Sequence, residues 1–399
     1  MNSLIAETVE SPFARLRELL NGIEPGDTPI DMTIGEPRHP MPDFVAEILN
    51  SKAALYGKYP PIRGIDELRN AISFWHDRRY DMGGAVDPER HILPLVGSRE
   101  GLFSALFPVV ERKLIKGLKP AVLIPNPFYQ VYAAGTVASG AEPVFLDAKA
   151  ENGFLPDLDG LVHDEGLLQR TVGLYLCSPS NPEGSVADRA YLEKAIMLAR
   201  TYGFMIFSDE CYSEIYDVDA PEGILKTSFD RYGDFQQIIA FNSLSKRSNV
   251  PGLRSGFCAG DENFIENFAK FRNVACPQMP LPHQHVSAAL WNDEAHVLDN
   301  RALYQAKFDA ASEIIGDKYG YQRPGGAFFL WLNMEHFSGG EDATVTLWKG
   351  CGVKMLPGAY LASECSNAPN PAQDYVRLAL VDDLDTTKEA LGRIVHVLS

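Results

Sequence analysis

Between residues 121 and 260, short apolar runs alternate with longer stretches whose apolar residues recur at helical spacing. The runs are AVLIP (121–125), EPVFL (142–146), VGLYLCS (172–178), FMIFSDE (204–210), QIIAFNS (237–243) and SGFCAG (255–260). DRAYLEKAIMLARTYG separates the third run from the fourth, and Leu192, Ala195, Ile196 and Ala199 share one face of the helix it predicts. Asp188 is placed to cap that helix and Gly203 to end it. Strand, helix and strand at this length form a βαβ crossover, so the strands are predicted to be parallel and buried on both faces.

The last third has a different pattern. SAALWNDEAHVLDNRALYQAKFDAASEII (287–315) has the length and period of one long helix, and FFLWLNM and YVRLALV alternate as half-buried strands do. An open α/β sheet followed by a smaller α+β unit is the expected architecture.

Composition narrows the class without naming a chemistry. The 399 residues are 45% hydrophobic and 22% charged, an ordinary globular balance. A formal charge of -17 speaks against nucleic acid or an anionic membrane as the main partner. Cys177, Cys211, Cys258, Cys276, Cys351 and Cys365 form no C-x-x-C pair, which fits reduced thiols better than zinc or a disulfide framework. MNSLIAETVESPFARLRELL carries acids early and lacks the basic start and apolar core of a signal peptide. No apolar stretch approaches the span of a bilayer. A soluble cytoplasmic protein is the expectation.

Ligands of open α/β sheets bind beyond the carboxyl ends of the strands. Pro125 to Tyr129 follow the first run, Ser178 to Pro182 the third, Asp209 and Tyr212 the fourth, and Ser243, Ser245 and Lys246 the fifth. Upstream, Gly97 and Ser98 open an amphipathic helix with the stripe Leu102, Ala105, Leu106, Val109 and Val110. A helix start preceded by glycine suits a phosphate, although a lone Gly-Ser is more often a simple N-cap. Taken singly, each residue has an ordinary reading. A lysine is usually solvated, Asp209 would serve as a helix cap, Tyr132 as a core-edge aromatic, and Arg377 as half of a surface ion pair. His283 and His285 have no carboxylate cluster beside them, so a structural pair is expected and no metal.

In order along the chain, Tyr59 to Gly64 (Y-x-x-x-x-G), GSRE at 97, PNPFYQVY at 125, SPSNPEG at 178, SDECY at 208, SLSKRSNVPGLRSG at 243 and YVRLAL at 375 resemble the motifs of class I/II aminotransferases. These are fold-type I enzymes dependent on pyridoxal 5'-phosphate, and the resemblance spans essentially the whole chain. It implies an N-terminal arm with part of the small domain over 1–45, a large cofactor-binding domain over 46–285, and a linking helix with the rest of the small domain over 286–399. It implies that Lys246 bonds covalently to the cofactor aldehyde and that Asp209 keeps the pyridine nitrogen protonated. Asn181 and Tyr212 then bond the 3-hydroxyl oxygen, and Tyr129 stacks on the ring. Ser98, Arg99, Ser243, Ser245 and Arg254 hold the phosphate, with Gly97 opening the loop and Tyr59 arriving from the other subunit of a homodimer. Arg377 clamps the substrate carboxylate, and Gly35 lines the same pocket.

Those residue types match the chemistry. A neutral amine attacks an aldehyde, and nearby cations favour the neutral form. A carboxylate facing the ring nitrogen sets the electronics of this cofactor. Arginine presents a planar fork to a carboxylate. The fold also hosts elimination, decarboxylation and carbon–carbon bond formation, and a non-catalytic domain of this type occurs in transcription regulators. Transamination is the expected reaction; another amino-acid transaminase or a carbon–sulfur lyase is the alternative. GEPRHPMP, VGSREGLF, AALWNDEAHVLDNRALYQAKF and VKMLPGAYLA are similar to bacterial N-succinyldiaminopimelate aminotransferases of lysine biosynthesis. That similarity implies glutamate as donor and N-succinyl-2-amino-6-oxopimelate as acceptor, with Arg38 or His39 as candidates to read the distal end. Where most relatives have N-P-T-G, this chain has Asn181-Pro182-Glu183-Gly184.

Overall fold

The computed structural model describes residues 11–111, 115, 117–364 and 369–399. The N-terminal segment read as lacking a signal peptide lies in part, and Cys365 wholly, outside them. Seven strands form the main sheet: β1 (Ile92–Leu95), β2 (Ala121–Asn126), β3 (Glu142–Asp147), β4 (Thr171–Cys177), β5 (Met205–Asp209), β6 (Ile238–Ser243) and β7 (Gly256–Gly260). They lie side by side in the order β1-β7-β6-β5-β4-β2-β3. The stretch β3-β2-β4-β5-β6 is parallel throughout.

Strand alternation feeds two cores. Leu123, Ile238 and Ala240 join one cluster with Trp75, Leu192, Ile196 and Trp291. Val122, Ile124, Ile239 and Phe241 face the other way, among Leu102, Tyr175, Phe207 and Phe268. Both faces are covered, which is why the runs read as continuous apolar stretches rather than as half-polar strands. The helix Arg189–Tyr202 lies on the first face with Leu192, Ala195, Ile196 and Ala199 buried. Asp188 accepts the Tyr191 N–H at its start, and Gly203 (φ 81°) ends it.

Three expectations change. β7 runs antiparallel to β6 and β1, not parallel. The connection over 244–255 holds only one helical turn and a short 3₁₀ segment, too little to cross back over the sheet, so the chain returns from the same rim. The close crossing needs Gly260, where a Cβ would stand 2.0 Å from the Ile238 carbonyl. The helix opened by Ser98 ends at Ser104 and continues as turns, because Pro108 disfavours helical geometry at Phe107. Leu102, Ala105 and Leu106 nonetheless stay buried.

The third change concerns 287–315, which is two helices: Leu281–Asn292 and Ala295–Ile315. Arg247, fully buried, donates to the carbonyls of Leu290 (2.7 Å) and Asp293 (3.2 Å) and pairs with Glu294. Its guanidinium lies 4.9 Å from the Trp291 ring. A cation that takes up the last free carbonyls of a helix stabilises an end there. Helical spacing alone could not reveal it.

The first of these helices adds Val286, Leu290 and Trp291 to the core of the main sheet. The second packs Tyr304 and Phe308 into a separate core built on β8 (Phe329–Asn333) and β10 (Tyr375–Ala379), with β9 (Leu356–Pro357) paired to β10. These three form an antiparallel sheet in the order β9-β10-β8.

Arg247→Met should leave the Leu290 and Asp293 carbonyls without this donor, while Glu294 keeps Arg78, and destabilise the protein by roughly 3 kcal/mol. Urea unfolding of the two proteins measures the difference. An unchanged midpoint would show that the helix ends are satisfied without the guanidinium.

Candidate active site

The carboxyl ends of β4, β5 and β6 open into a cleft of about 730 Å³ between the two cores. It collects Gly35, Ser98, Arg99, Tyr129, Asn181, Asp209, Tyr212, Ser243, Ser245, Lys246, Arg254 and Arg377, twelve of the residues expected from sequence. Strands end on this rim because the parallel sheet aligns them, so residues far apart in sequence converge.

Lys246 sits in the single turn Leu244–Arg247 that follows β6. Ser243 caps that turn by accepting the Ser245 N–H at 3.2 Å. The Lys246 amine donates to the Gly35 carbonyl and lies 5.9 Å from the Tyr212 ring and 5.3 Å from Phe328. Burial lowers its pKa to about 8, and the Arg377 and Arg99 cations push the same way against Cys211 and Glu36.

Asp209 closes β5 and is buried. Burial raises its pKa, and hydrogen bonds from Cys211 and Tyr132 hold it down. Its Oδ1 accepts the Cys211 N–H at 3.2 Å and its Oδ2 the Tyr132 hydroxyl at 2.7 Å. Tyr212 stands edge-on to Phe328 and Phe329.

Arg377 lies in β10 and is buried, yet no carboxylate among the described residues pairs with it. Nη1 donates to Asn181 Oδ1 at 2.8 Å and Nη2 to the Thr33 carbonyl at 2.6 Å. Nε is buried and has no partner. Burial lowers the pKa to about 10, with Tyr212 acting against it. A buried guanidinium with an unused donor beside a cleft fits an incoming carboxylate.

On the other side of Lys246, Ser243 Oγ donates to Ser245 Oγ at 3.0 Å, and Ser98 Oγ accepts from Cys211 Sγ at 3.1 Å. Arg254 is held by the Pro251 carbonyl at 2.8 Å and lies over Gly97. A Cβ at Gly97 (φ 81°) would stand 2.3 Å from Arg254 Nη2. Glycine therefore leaves space for the cation, and hydroxyls, a guanidinium and a helix start form a cradle suited to phosphate. The Tyr129 hydroxyl accepts from Arg99 Nε, and its ring lies edge-on to Tyr132 at 5.7 Å.

Other expected residues lie elsewhere. Tyr59 is fully exposed and does not line the cleft of its own chain. Arg38 pairs with Asp382, and His39 bonds Asn300 and Lys307, each at 2.7 Å; neither lines the cleft. His283 bonds the Leu253 carbonyl and Tyr56, each at 2.9 Å, and His285 bonds Glu67 at 2.7 Å. Sequence reading missed Thr33, whose contribution is a backbone carbonyl that no motif encodes. It also passed over Cys177 and Cys211, although both lie at strand ends where the same rule would have found them.

A half-buried amine of lowered pKa, a buried carboxylate and a buried guanidinium without a carboxylate partner among the described residues, beside a cradle suited to phosphate, could hold a phosphorylated aldehyde and a carboxylate. Residues 27–394 match the family model for aminotransferase class I and II, and the chain belongs to that family. Its cofactor is pyridoxal 5'-phosphate, and it is an aminotransferase with small-molecule substrates. An aminotransferase from Neisseria meningitidis is 40% identical with a TM-score of 0.93, each chain covered over 100%. LL-diaminopimelate aminotransferase of Moorella thermoacetica is 30% identical over 97% of this chain and 95% of its own. A probable N-succinyldiaminopimelate aminotransferase of Thermus thermophilus, 23% identical, shares the fold with a TM-score of 0.84 over 97% and 100% of the two chains.

Three outcomes follow from this geometry. Gly97→Ala should displace Arg254 and strain the loop, weakening pyridoxal 5'-phosphate about tenfold or more while sparing unphosphorylated pyridoxal. Equal losses for the two ligands would remove Gly97 from the phosphate cradle.

Acylation of Lys246 in the cofactor-free protein, followed by peptide mass spectrometry, should rise with pH around a midpoint near 8. A midpoint near the ordinary lysine value would contradict the burial.

Glu183 has a buried Oε1 without a partner, and burial pushes its carboxyl up to about 8 against its own N–H and Ser180. The folded protein keeps a proton there that an unfolded chain releases from about pH 4.3. Stability therefore falls as pH rises from that value toward 8. Glu183→Gln should lose less thermal midpoint than the wild type between pH 5 and pH 8, by scanning calorimetry of the cofactor-free proteins.

Proposed function

We propose that the chain transfers an amino group from glutamate to an oxo derivative of the diaminopimelate skeleton in lysine biosynthesis, with N-succinyl-2-amino-6-oxopimelate as acceptor. The observation that carries it is the Arg377 guanidinium, buried with no carboxylate partner among the described residues and with Nε unused, in the same cleft as Lys246 and Asp209. A dicarboxylate donor and an acceptor with carboxylates at its ends suit a site that holds one buried cation for the α-carboxylate and opens widely beyond it.

Bound pyridoxal 5'-phosphate supplies an electrophilic carbon and an electron-withdrawing ring. Asp209 holds a proton at the ring nitrogen, and Asn181 and Tyr212 bond the 3-hydroxyl oxygen. Tyr129 covers a ring face. Ser98, Arg99, Ser243, Ser245 and Arg254 hold the phosphate. Arg377 orients the substrate by its α-carboxylate while Asn181 and the Thr33 carbonyl keep the guanidinium in plane. With the α-carbon so placed, Lys246, as a neutral amine, takes the α-proton and returns it on the other side of the exchange. Two copies of the chain complete the site: Tyr59, fully exposed here, reaches the partner's phosphate. The protein works in the cytoplasm.

A second reading takes the unsubstituted LL-diaminopimelate pair as substrate, and the relative from Moorella thermoacetica favours it. Glutamate-dependent amination of the succinylated oxopimelate, run beside tetrahydrodipicolinate, oxaloacetate and pyruvate, separates the two. Preference for the succinylated substrate upholds the proposal; preference for tetrahydrodipicolinate selects the second reading. Pyruvate and ammonia released from cystathionine would reject transamination altogether. Arg377→Lys is expected to lower kcat/KM at least about tenfold, because an ammonium cannot replace the planar fork. Cofactor loading should be unaffected, and unchanged carboxylate affinity would remove Arg377 from the clamp.

A further inference from the structure

The carboxylate of Asp209 has a partner from outside the motif that carries it. Tyr132 lies in the helix Gln130–Ser139, is 1% exposed, and donates its hydroxyl to Oδ2 at 2.7 Å. The backbone N–H of Cys211 takes Oδ1 at 3.2 Å. The donor cannot swing away. Its ring stacks on Tyr175 at 4.5 Å with an interplanar angle of 12° and stands edge-on to Tyr129. Tyr175 is itself tied through its hydroxyl to the Leu102 carbonyl at 2.6 Å. The groups around the pair are the thiols of Cys177 and Cys211, the Tyr175 phenol and, across the cleft, Lys246; among the described residues no arginine or lysine bonds the carboxylate.

A carboxylate in so dry a place has two ways to fail. It can take up a proton and become neutral, or it can rotate and present the wrong lone pair. A phenol donor fixed at 2.7 Å opposes both, since it bonds the ionised form more strongly and pins one oxygen. We propose that Tyr132 is a positioning residue that keeps Asp209 ionised and oriented toward the ring nitrogen of the cofactor, touching neither cofactor nor substrate. This rests on reading the cleft as the pyridoxal 5'-phosphate site.

The test uses Tyr132→Phe, which keeps the stack on Tyr175 and removes one hydroxyl. The dissociation constants of the cofactor-free protein are measured for pyridoxal 5'-phosphate and for its 1-deaza analogue, in which a C–H replaces the ring nitrogen. The wild type should prefer the natural cofactor. The variant should lose about tenfold of that preference with its affinity for the analogue unchanged, the size expected for one charge-assisted hydrogen bond. Tyr175→Phe, which cuts only the bond to Leu102, should leave the ratio alone. Incorporation of 3-fluorotyrosine at 132, a stronger donor of nearly the same volume, should raise the ratio, and it reports even where the phenylalanine variant does not fold. Equal weakening of both ligands, or an unmoved ratio, overturns the role of Tyr132 and leaves the cofactor site standing. A wild type that binds neither ligand overturns the cofactor site and this inference together.

Discussion

One buried guanidinium without a counter-ion sets the terms for the rest of the molecule. Removing a cation from water costs several kcal/mol even after relaxation. Arg377 recovers part of that from Asn181 and the Thr33 carbonyl, both neutral. The three groups come from a C-terminal strand, the loop after β4 and the segment before Gly35, so the arrangement exists only when both cores are assembled. A site held this way is stiff before any substrate arrives. A carboxylate entering beside it would meet charge already desolvated, and little would be lost to ordering side chains.

The same economy governs Lys246 and Asp209. Asp209 is buried and Lys246 half-buried, and desolvation pushes the amine toward its neutral form and the acid toward its protonated form. Only the first shift helps a nucleophile; the second works against a residue that must carry charge. Directed donors at Asp209, from Cys211 and Tyr132, oppose the second shift locally while the carboxylate stays buried. Immediately after Lys246, Arg247 is locked to the end of the helix Leu281–Asn292, so the single turn that bears both residues is fixed on the side away from the cleft.

Much of this was legible before any coordinates. The helix Arg189–Tyr202 has the predicted stripe, cap and glycine stop, because those signals are local and nothing distant opposed them. Polar residues at the ends of β4, β5 and β6 converge as the rule for parallel sheets requires. What escaped was decided at a distance. The break at Asp293 and Glu294 depends on a guanidinium contributed by Arg247, and the reversal of β7 depends on how little chain connects it to β6. Arg38 and His39 are basic candidates for the distal end of a substrate, but Asp382, Asn300 and Lys307 engage them away from the cleft. Tyr132 looked like packing and is packed, yet its hydroxyl donates to the Asp209 carboxylate.

The order of apolar runs and the residue types at their ends thus determined the sheet, its buried faces and the chemistry gathered at one rim, since strand period, helix period and side-chain reactivity are properties of neighbouring residues. Tertiary structure alone decided which carbonyl, amide or phenol stands against each of those groups. Such partners come from segments as much as 344 residues apart, and around buried groups it is they that bias whether a group is charged and where it points.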